Sequence, residues 1–186
     1  MDQRDLVTRA QGGDQDAFAE LAGAAVARLD AAARLILRDS ELARDAVQDS
    51  MVRAWRDLPG LRDPDRFMPW LHRLTVNACL DVARRRRRRS IEVELTPIDM
   101  PFVGDATAEF AERERIDDAL RQLEPEFRAV VVLHYFLGMP LHDVAVAMRI
   151  PLGTVKSRLH RALRTMRITL ESADEAPEAV PGGQFA

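Results

Sequence analysis

The chain has 186 residues, is 47% hydrophobic but only 5% aromatic, and carries a formal net charge of −3. That length allows one ordinary domain or two small ones, and the single cysteine, Cys79, excludes a disulfide framework and a multi-cysteine zinc site. No apolar run reaches the roughly 18 residues of a membrane span, and the opening MDQRDLVTRAQGGD is too polar for a signal peptide, so a cytoplasmic protein with no membrane insertion is expected.

Alanine, leucine, valine and arginine dominate, and no β-branched runs alternate with turn pairs, so the expected fold is all-α. Phe18, Leu21, Ala22, Ala25 and Leu29 make a first helical stripe. Leu42, Ala46, Val47, Val52 and Trp55 make a second, with Ser40 as its expected N-cap. Residues 58–65 hold two prolines and a glycine and read as a loop. A third helix is expected from about Arg66, with Phe67, Trp70, Leu71, Leu74 and Ala78 on one face and Pro69 in its first turn. It runs into six consecutive arginines, Arg84 to Arg89.

Periodicity is lost from Ser90 to about Ala111, a stretch read as a linker. Helical spacing resumes with Ile116, Ala119, Leu120 and Leu123, and Pro125 interrupts it. A second apolar helix carries Phe127, Val130 and Val131 and ends near Gly138. Leu141, Val144, Ala145 and Met148 give a short third helix, and Ile150 to Gly153 a turn. Thr154 is the expected N-cap of a fourth, with Val155, Leu159, Ala162, Leu163 and Met166 inward. The acidic residues from Glu171 read as a disordered tail.

The charge is unevenly spread. Residues 1–90 carry net +3, residues 91–126 net −8, residues 127–170 net +6 and residues 171–186 net −4. Two basic blocks around an acidic one suggest two DNA-facing modules and a connector that avoids DNA. The last helix pair has the parts of a helix-turn-helix: a short helix, a tight turn, and a second helix whose outer face holds Lys156, Ser157, Arg158, Arg161 and Arg164. Arginine can bond a guanine edge bidentately, and lysine or serine can hold phosphate. On the second stripe's helix, Asp45, Gln48, Asp49 and Arg53 share one face, suited to gripping a partner helix.

These segments resemble a family. Tyr135 to Met139, Asp143-Val144-Ala145 and the run IPLGTVKSRLHRA over 150–162 resemble region 4 of extracytoplasmic-function sigma factors, within the sigma-70 family. The resemblance implies that this module reads the −35 promoter element, with Thr154, Lys156, Ser157, Arg158 and Arg161 on bases or phosphates. Arg149 stands where the family usually has glycine, and Pro140 where it often has serine. Residues 45–56, DAVQDSMVRAWR, resemble region 2.2, which implies that Asp45, Gln48, Asp49 and Arg53 bind the clamp coiled coil of the polymerase β′ subunit. The spacing of Phe67, Trp70, Leu71, Arg73, Leu74, Asn77, Asp81, Arg84 and Arg85 resembles regions 2.3 and 2.4. That implies −10 contacts by Asn77, Arg84 and Arg85, and by Arg62 and Asp65 in the preceding loop. Trp70 lies on the apolar stripe and reads as core.

The expected architecture is two small helical domains joined by an acidic linker: region 2 over 1–90, linker over 91–112, region 4 over 113–170 and tail over 171–186. The resemblance implies a promoter-reading and promoter-melting subunit of RNA polymerase, not an enzyme, with no cofactor or metal. Its implied partners are core polymerase, promoter DNA and an anti-sigma factor. A stand-alone helix-turn-helix regulator is the alternative for the C-terminal half, although residues 1–90 show no strands of a phosphoacceptor domain. A nuclease would need clustered carboxylates for Mg²⁺, and the acids here are dispersed or in the linker.

Overall fold

The computed structural model describes residues 2–92 and 108–175, and among them every regular element is helical. The acidic segment 93–107 and the tail 176–186 lie outside the described residues. The first bundle holds α1 (Gln3–Gln11), α2 (Gln15–Leu37), α3 (Ser40–Asp57) and α4 (Phe67–Glu92). The second holds α5 (Ala108–Arg121), α6 (Pro125–Val131), a π-helical turn (Val132–Phe136), α7 (Leu141–Met148) and α8 (Leu152–Glu175).

The helix starts follow from local chemistry. Asp14 accepts from the Ala17 backbone N–H and caps α2. Asp39, not Ser40, caps α3: its carboxylate accepts from the N–H groups of Glu41 and Leu42, and Ser40 is the first helical residue. A carboxylate one residue earlier reaches both orphan donors and also meets the positive end of the helix dipole. Asp63 accepts from Asp65 N–H and opens a 3₁₀ turn, Pro64–Arg66, that leads into α4. Pro125 occupies the first turn of α6, where its missing N–H costs nothing.

The first bundle buries Leu21, Leu29, Ile36, Ala46, Val47, Phe67, Leu71 and Leu80. Removing a fully buried ring such as Phe67 costs about 3–5 kcal/mol in comparable cores. Val52 departs from the expected stripe: it is 61% exposed, and Ser50 and Ala54 are buried in its stead. The stripe had been drawn five residues from Val47 to Val52, a step that rotates a side chain well off the core face. In the second bundle Leu120, Val130, Leu133, Val144, Val155 and Leu159 are buried, whereas Ile116 and Leu163 are exposed.

Both ends of the expected linker are helical, because α4 continues to Glu92 and α5 begins at Ala108. α8 likewise runs to Glu175, so the tail's first five residues extend it. Alanine, glutamate and arginine, which fill much of these stretches, are strong helix formers. The two bundles pack together, α7 against α4, and α6 with the π-helical turn against α2. The fold is all-α with two small helical domains.

Candidate nucleic-acid interface

Three groups of residues come from the sequence, and the structure places each on a distinct surface. On α3, Asp45 and Gln48 are exposed and Asp49 is half-buried. Asp49 pairs with Arg53 one turn on, 2.7 Å apart. Val52 projects from the same face, since positions 45, 48, 49, 52 and 53 follow helical spacing. The patch is therefore an apolar tip ringed by polar groups, a composition suited to docking on a protein helix. Sequence periodicity had assigned Val52 inward and so missed it.

The second group surrounds the 3₁₀ turn and α4. Arg62 is exposed and has no ion-pair partner among the described residues. Asp65 is taken by Arg4 of α1 at 2.8 Å, which ties the loop to the N-terminus. Arg62, Trp70 and Arg73 line a crevice of about 280 Å³. Trp70 is half-buried against the core, 6.0 Å from the Phe67 ring centroid, so the indole serves core and crevice together. Arg84 to Arg89 are all exposed. Arg84 pairs with Asp81 at 3.1 Å, Arg85 donates to the Asp81 carbonyl, and Arg86 reaches Asp39 at 3.5 Å.

Asn77 does not stand free beside Arg62. Its amide donates to the Arg73 carbonyl at 2.7 Å and to the Ala147 carbonyl, on α7, at 3.1 Å.

The third group is on α7 and α8. α7 ends at Arg149 in the left-handed region, φ 56°, and the Arg149 N–H bonds back to Ala145 and Val146. The turn thus takes the geometry that glycine would adopt without strain, and builds it with arginine. Pro140 offers α7 no side-chain cap; its carbonyl accepts from Asp143 and Val144 N–H at 2.9 and 3.0 Å. α8 starts at Leu152, two residues before the expected cap, so Thr154 lies inside the first turn and its carbonyl accepts from the Ser157 hydroxyl at 3.0 Å. Val155, Leu159 and Ala162 are buried, and Met166 packs against the core. Lys156, Ser157 and Arg161 are exposed, Thr154 and Arg158 half-buried. His160, four residues after Lys156, joins the exposed face and had carried no sequence signal. Arg161 and Arg164 also border a groove against Leu123 and Phe127.

The one thiol is inert in this setting: Cys79 is buried, and burial pushes it up to about 12. Among the described residues no three His, Cys, Asp or Glu gather at one place, and no helix is long and apolar enough to cross a membrane.

Comparison with known proteins matches residues 15–89 to the family model for sigma-70 region 2 and residues 113–166 to that for sigma-70 region 4. The ECF RNA polymerase sigma factor SigM of Mycobacterium tuberculosis is 37% identical over 159 residues, 85% of this chain and 79% of that one. The RNA polymerase sigma-E factor of Streptomyces avermitilis is 34% identical over 142 residues, 76% of this chain and 78% of that one. Among solved structures, CnrH in complex with the cytosolic domain of CnrY superposes with a TM-score of 0.66 at 28% identity, over 91% of this chain and 97% of that one. The sigma factor RpoE of Bartonella quintana, solved with the anti-sigma factor NepR, shares the fold at TM-score 0.71 and 23% identity, over 83% of this chain and 96% of that one. With both regions matched in order across most of its length, the chain belongs to the sigma-70 family and is a sigma factor of the extracytoplasmic-function type.

Proposed function

We propose that the chain directs core RNA polymerase to promoters whose −35 element is read by α8 and whose −10 element is opened and held by α4 and the loop before it. One observation carries this reading: polar and basic surfaces with three different chemistries occur on one all-helical chain, in the order region 2 then region 4. The α3 patch of Asp45, Gln48, Asp49, Val52 and Arg53 suits the β′ coiled coil. Lys156, Ser157, Arg158 and Arg161 on α8 suit duplex DNA in the major groove, with Thr154 in the turn at its start.

Melted DNA presents charged backbone and bare base faces. Arg62, Trp70, Arg73 and the Arg84–Arg89 run offer both a cationic track and an aromatic edge. Energy from gripping a flipped base offsets opening of about a few kcal/mol per step. This work requires no covalent chemistry. The relatives solved with CnrY and with the anti-sigma factor NepR support an anti-sigma factor as a further partner.

The test is reconstitution of the purified chain with core polymerase on genomic DNA, followed by sequencing of the transcripts. Start sites that share paired upstream motifs are expected. Start sites unchanged from those of core alone would overturn the reading.

A further inference from the structure

We propose that the corner where α2, α5 and α6 meet binds a small phosphate-class oxyanion, taken in the guanidinium fork of Arg128 beside the Arg38–Asp117 bridge. Arg38, Asp117, Arg121 and Arg128 belong to none of the three surfaces described above, so the inference stands whatever those surfaces bind.

Arginine is seldom buried unless acceptors receive its N–H groups. Arg128, in the middle of α6, is 7% exposed, yet its guanidinium makes no hydrogen bond and no ion pair among the described residues. α6 packs on α2, α4 and α8, and these neighbours enclose the side chain.

The carboxylates at this corner are already engaged. Asp117 of α5 gives both oxygens to the Arg38 guanidinium, and Oδ2 also accepts from Arg121 at 3.3 Å. Burial pushes the Asp117 carboxyl up, but bonds and charge from Arg38 and Arg121 outweigh it, so the group stays ionised. Arg121 turns its other terminal nitrogen to Asp118 at 3.4 Å. Asp39 caps α3 and pairs with Arg86 at 3.5 Å. Glu126 is two positions from Arg128 on the same helix and so points to a different face. Arg38 and Arg121 are matched by Asp117 and Asp118, and Arg128 is the charge left over.

Unmet donors gather at the same corner. Among the described residues, the buried side-chain nitrogens without a partner belong to His72 and to three arginines, one Nε each from Arg38, Arg121 and Arg128. In Arg128 only Nε is sealed from water, so the two terminal nitrogens keep an opening to solvent as a paired donor. Burial, then the charges of Arg38 and Arg86, lower the Arg128 pKa to about 10, and it is still a cation at neutral pH. Arg86 is exposed and screened, so burial and Arg38 are the effects that matter. A buried cation with unmet donors is costly, and an oxyanion removes that cost. A tetrahedral phosphate accepts from both terminal nitrogens and still presents oxygens to the neighbouring arginines and to water. So narrow an opening admits a small ion and excludes a duplex or a folded partner.

The test titrates inorganic phosphate into the full chain at constant ionic strength, in exchange for chloride, and reads the heat of binding and the thermal melt. The wild-type chain is expected to bind phosphate saturably, with a melting temperature raised about 3–6 °C at roughly tenfold excess over the dissociation constant. Arg128→Met fills similar space without charge and should lose that shift. Arg128→Lys keeps the charge but not the fork and should bind about tenfold more weakly. Both variants leave Arg84 to Arg89 and the basic face of α8 intact, so a shift that survives in Arg128→Met shows phosphate collecting there and overturns the site. If Arg128→Met does not fold, Arg128→Lys decides, and wild-type affinity in that variant overturns the proposal. Absence of saturable binding to the wild-type chain overturns it as well. Binding that appears only after Glu94→Gln, Asp99→Asn and Asp105→Asn also overturns it, because the chain's own acidic segment is then the partner of Arg128.

Discussion

The Thr75 hydroxyl lies 3.0 Å from Ser50 Oγ, with both residues buried where α4 crosses α3. Ser50 donates its own proton to the Val47 carbonyl, so towards Thr75 it is an acceptor, sharing the single Thr75 proton with the Leu71 carbonyl at 3.1 Å. The pair fixes the helix proposed to bind core polymerase against the helix proposed to hold the −10 strand. Thr75→Val leaves a buried acceptor unmet and is expected to cost about 1–3 kcal/mol. The double variant with Ser50→Ala should cost less than the sum of the two singles. A double-mutant cycle from urea unfolding checks this, and strict additivity would contradict the coupling.

His72 is buried, and neither ring nitrogen has a hydrogen-bond partner. Burial, helped by the Arg28 charge, takes its pKa from 6.5 down to about 4. The folded protein keeps the ring neutral in a range where the unfolded chain binds a proton. Its contribution is therefore complete above pH 6.5 and declines as pH falls toward 4, by roughly 3 kcal/mol at the lower end. His72→Leu should flatten that part of the stability curve. Urea melts of both proteins across the window decide it; equal slopes would show that His72 is not the titrating group.

The α3 patch predicts two core-binding defects of different kinds. Asp49→Arg reverses a charge beside Arg53 and should weaken core binding by about 1.5–3 kcal/mol. Val52→Asp places a charge at the apolar tip, 61% exposed in the free chain, and should weaken binding with no loss of folding stability. A fluorescence titration against core polymerase, beside thermal melts, reads both. Unchanged affinity for both variants would remove α3 from the interface.

The DNA modules should fail differently. Arg158→Ala or Arg161→Ala, if the lost contact reaches a base edge, costs about 1–3 kcal/mol and relaxes preference at one −35 position. That defect should persist on a template already mismatched over the −10 region. Asn77→Ala should impair open-complex formation more than initial duplex binding, and on the mismatched template its defect should persist if the amide grips a flipped base. Permanganate footprinting beside filter binding separates these outcomes. Wild-type behaviour of Asn77→Ala in both assays would mean that Asn77 serves only to cap α7.

Much of this was legible in the residues. The run from Ile150 to Ala162 spells a turn followed by a helix with one apolar face, and the structure places Val155, Leu159 and Ala162 inward as spacing demands. Helix ends were less legible, because a cap depends on which of two neighbouring side chains reaches the free N–H groups; Asp39 does so and Ser40 does not. Val52 was misread because a valine carries the same apolar signal whether it meets core or a partner. The boundary between the domains left almost no trace. Two of its acceptors are the backbone carbonyls of Phe136 and Ala147, which no side chain announces, and only the prolines four residues on hint that they lack donors.

The central claim is that this chain reads promoters as a subunit of polymerase and not alone. The most direct measurement is a gel shift on a duplex promoter, taken from its own reconstituted transcripts, with the free chain, with core polymerase and with both. The free chain has net charge −3, and its Asn77 amide is already engaged by α7. The account predicts a sequence-specific complex only when chain and core are mixed. A tight complex formed by the free chain alone, at the nanomolar or stronger affinity (roughly 10⁻⁸–10⁻¹¹ M) of stand-alone regulators, would contradict it.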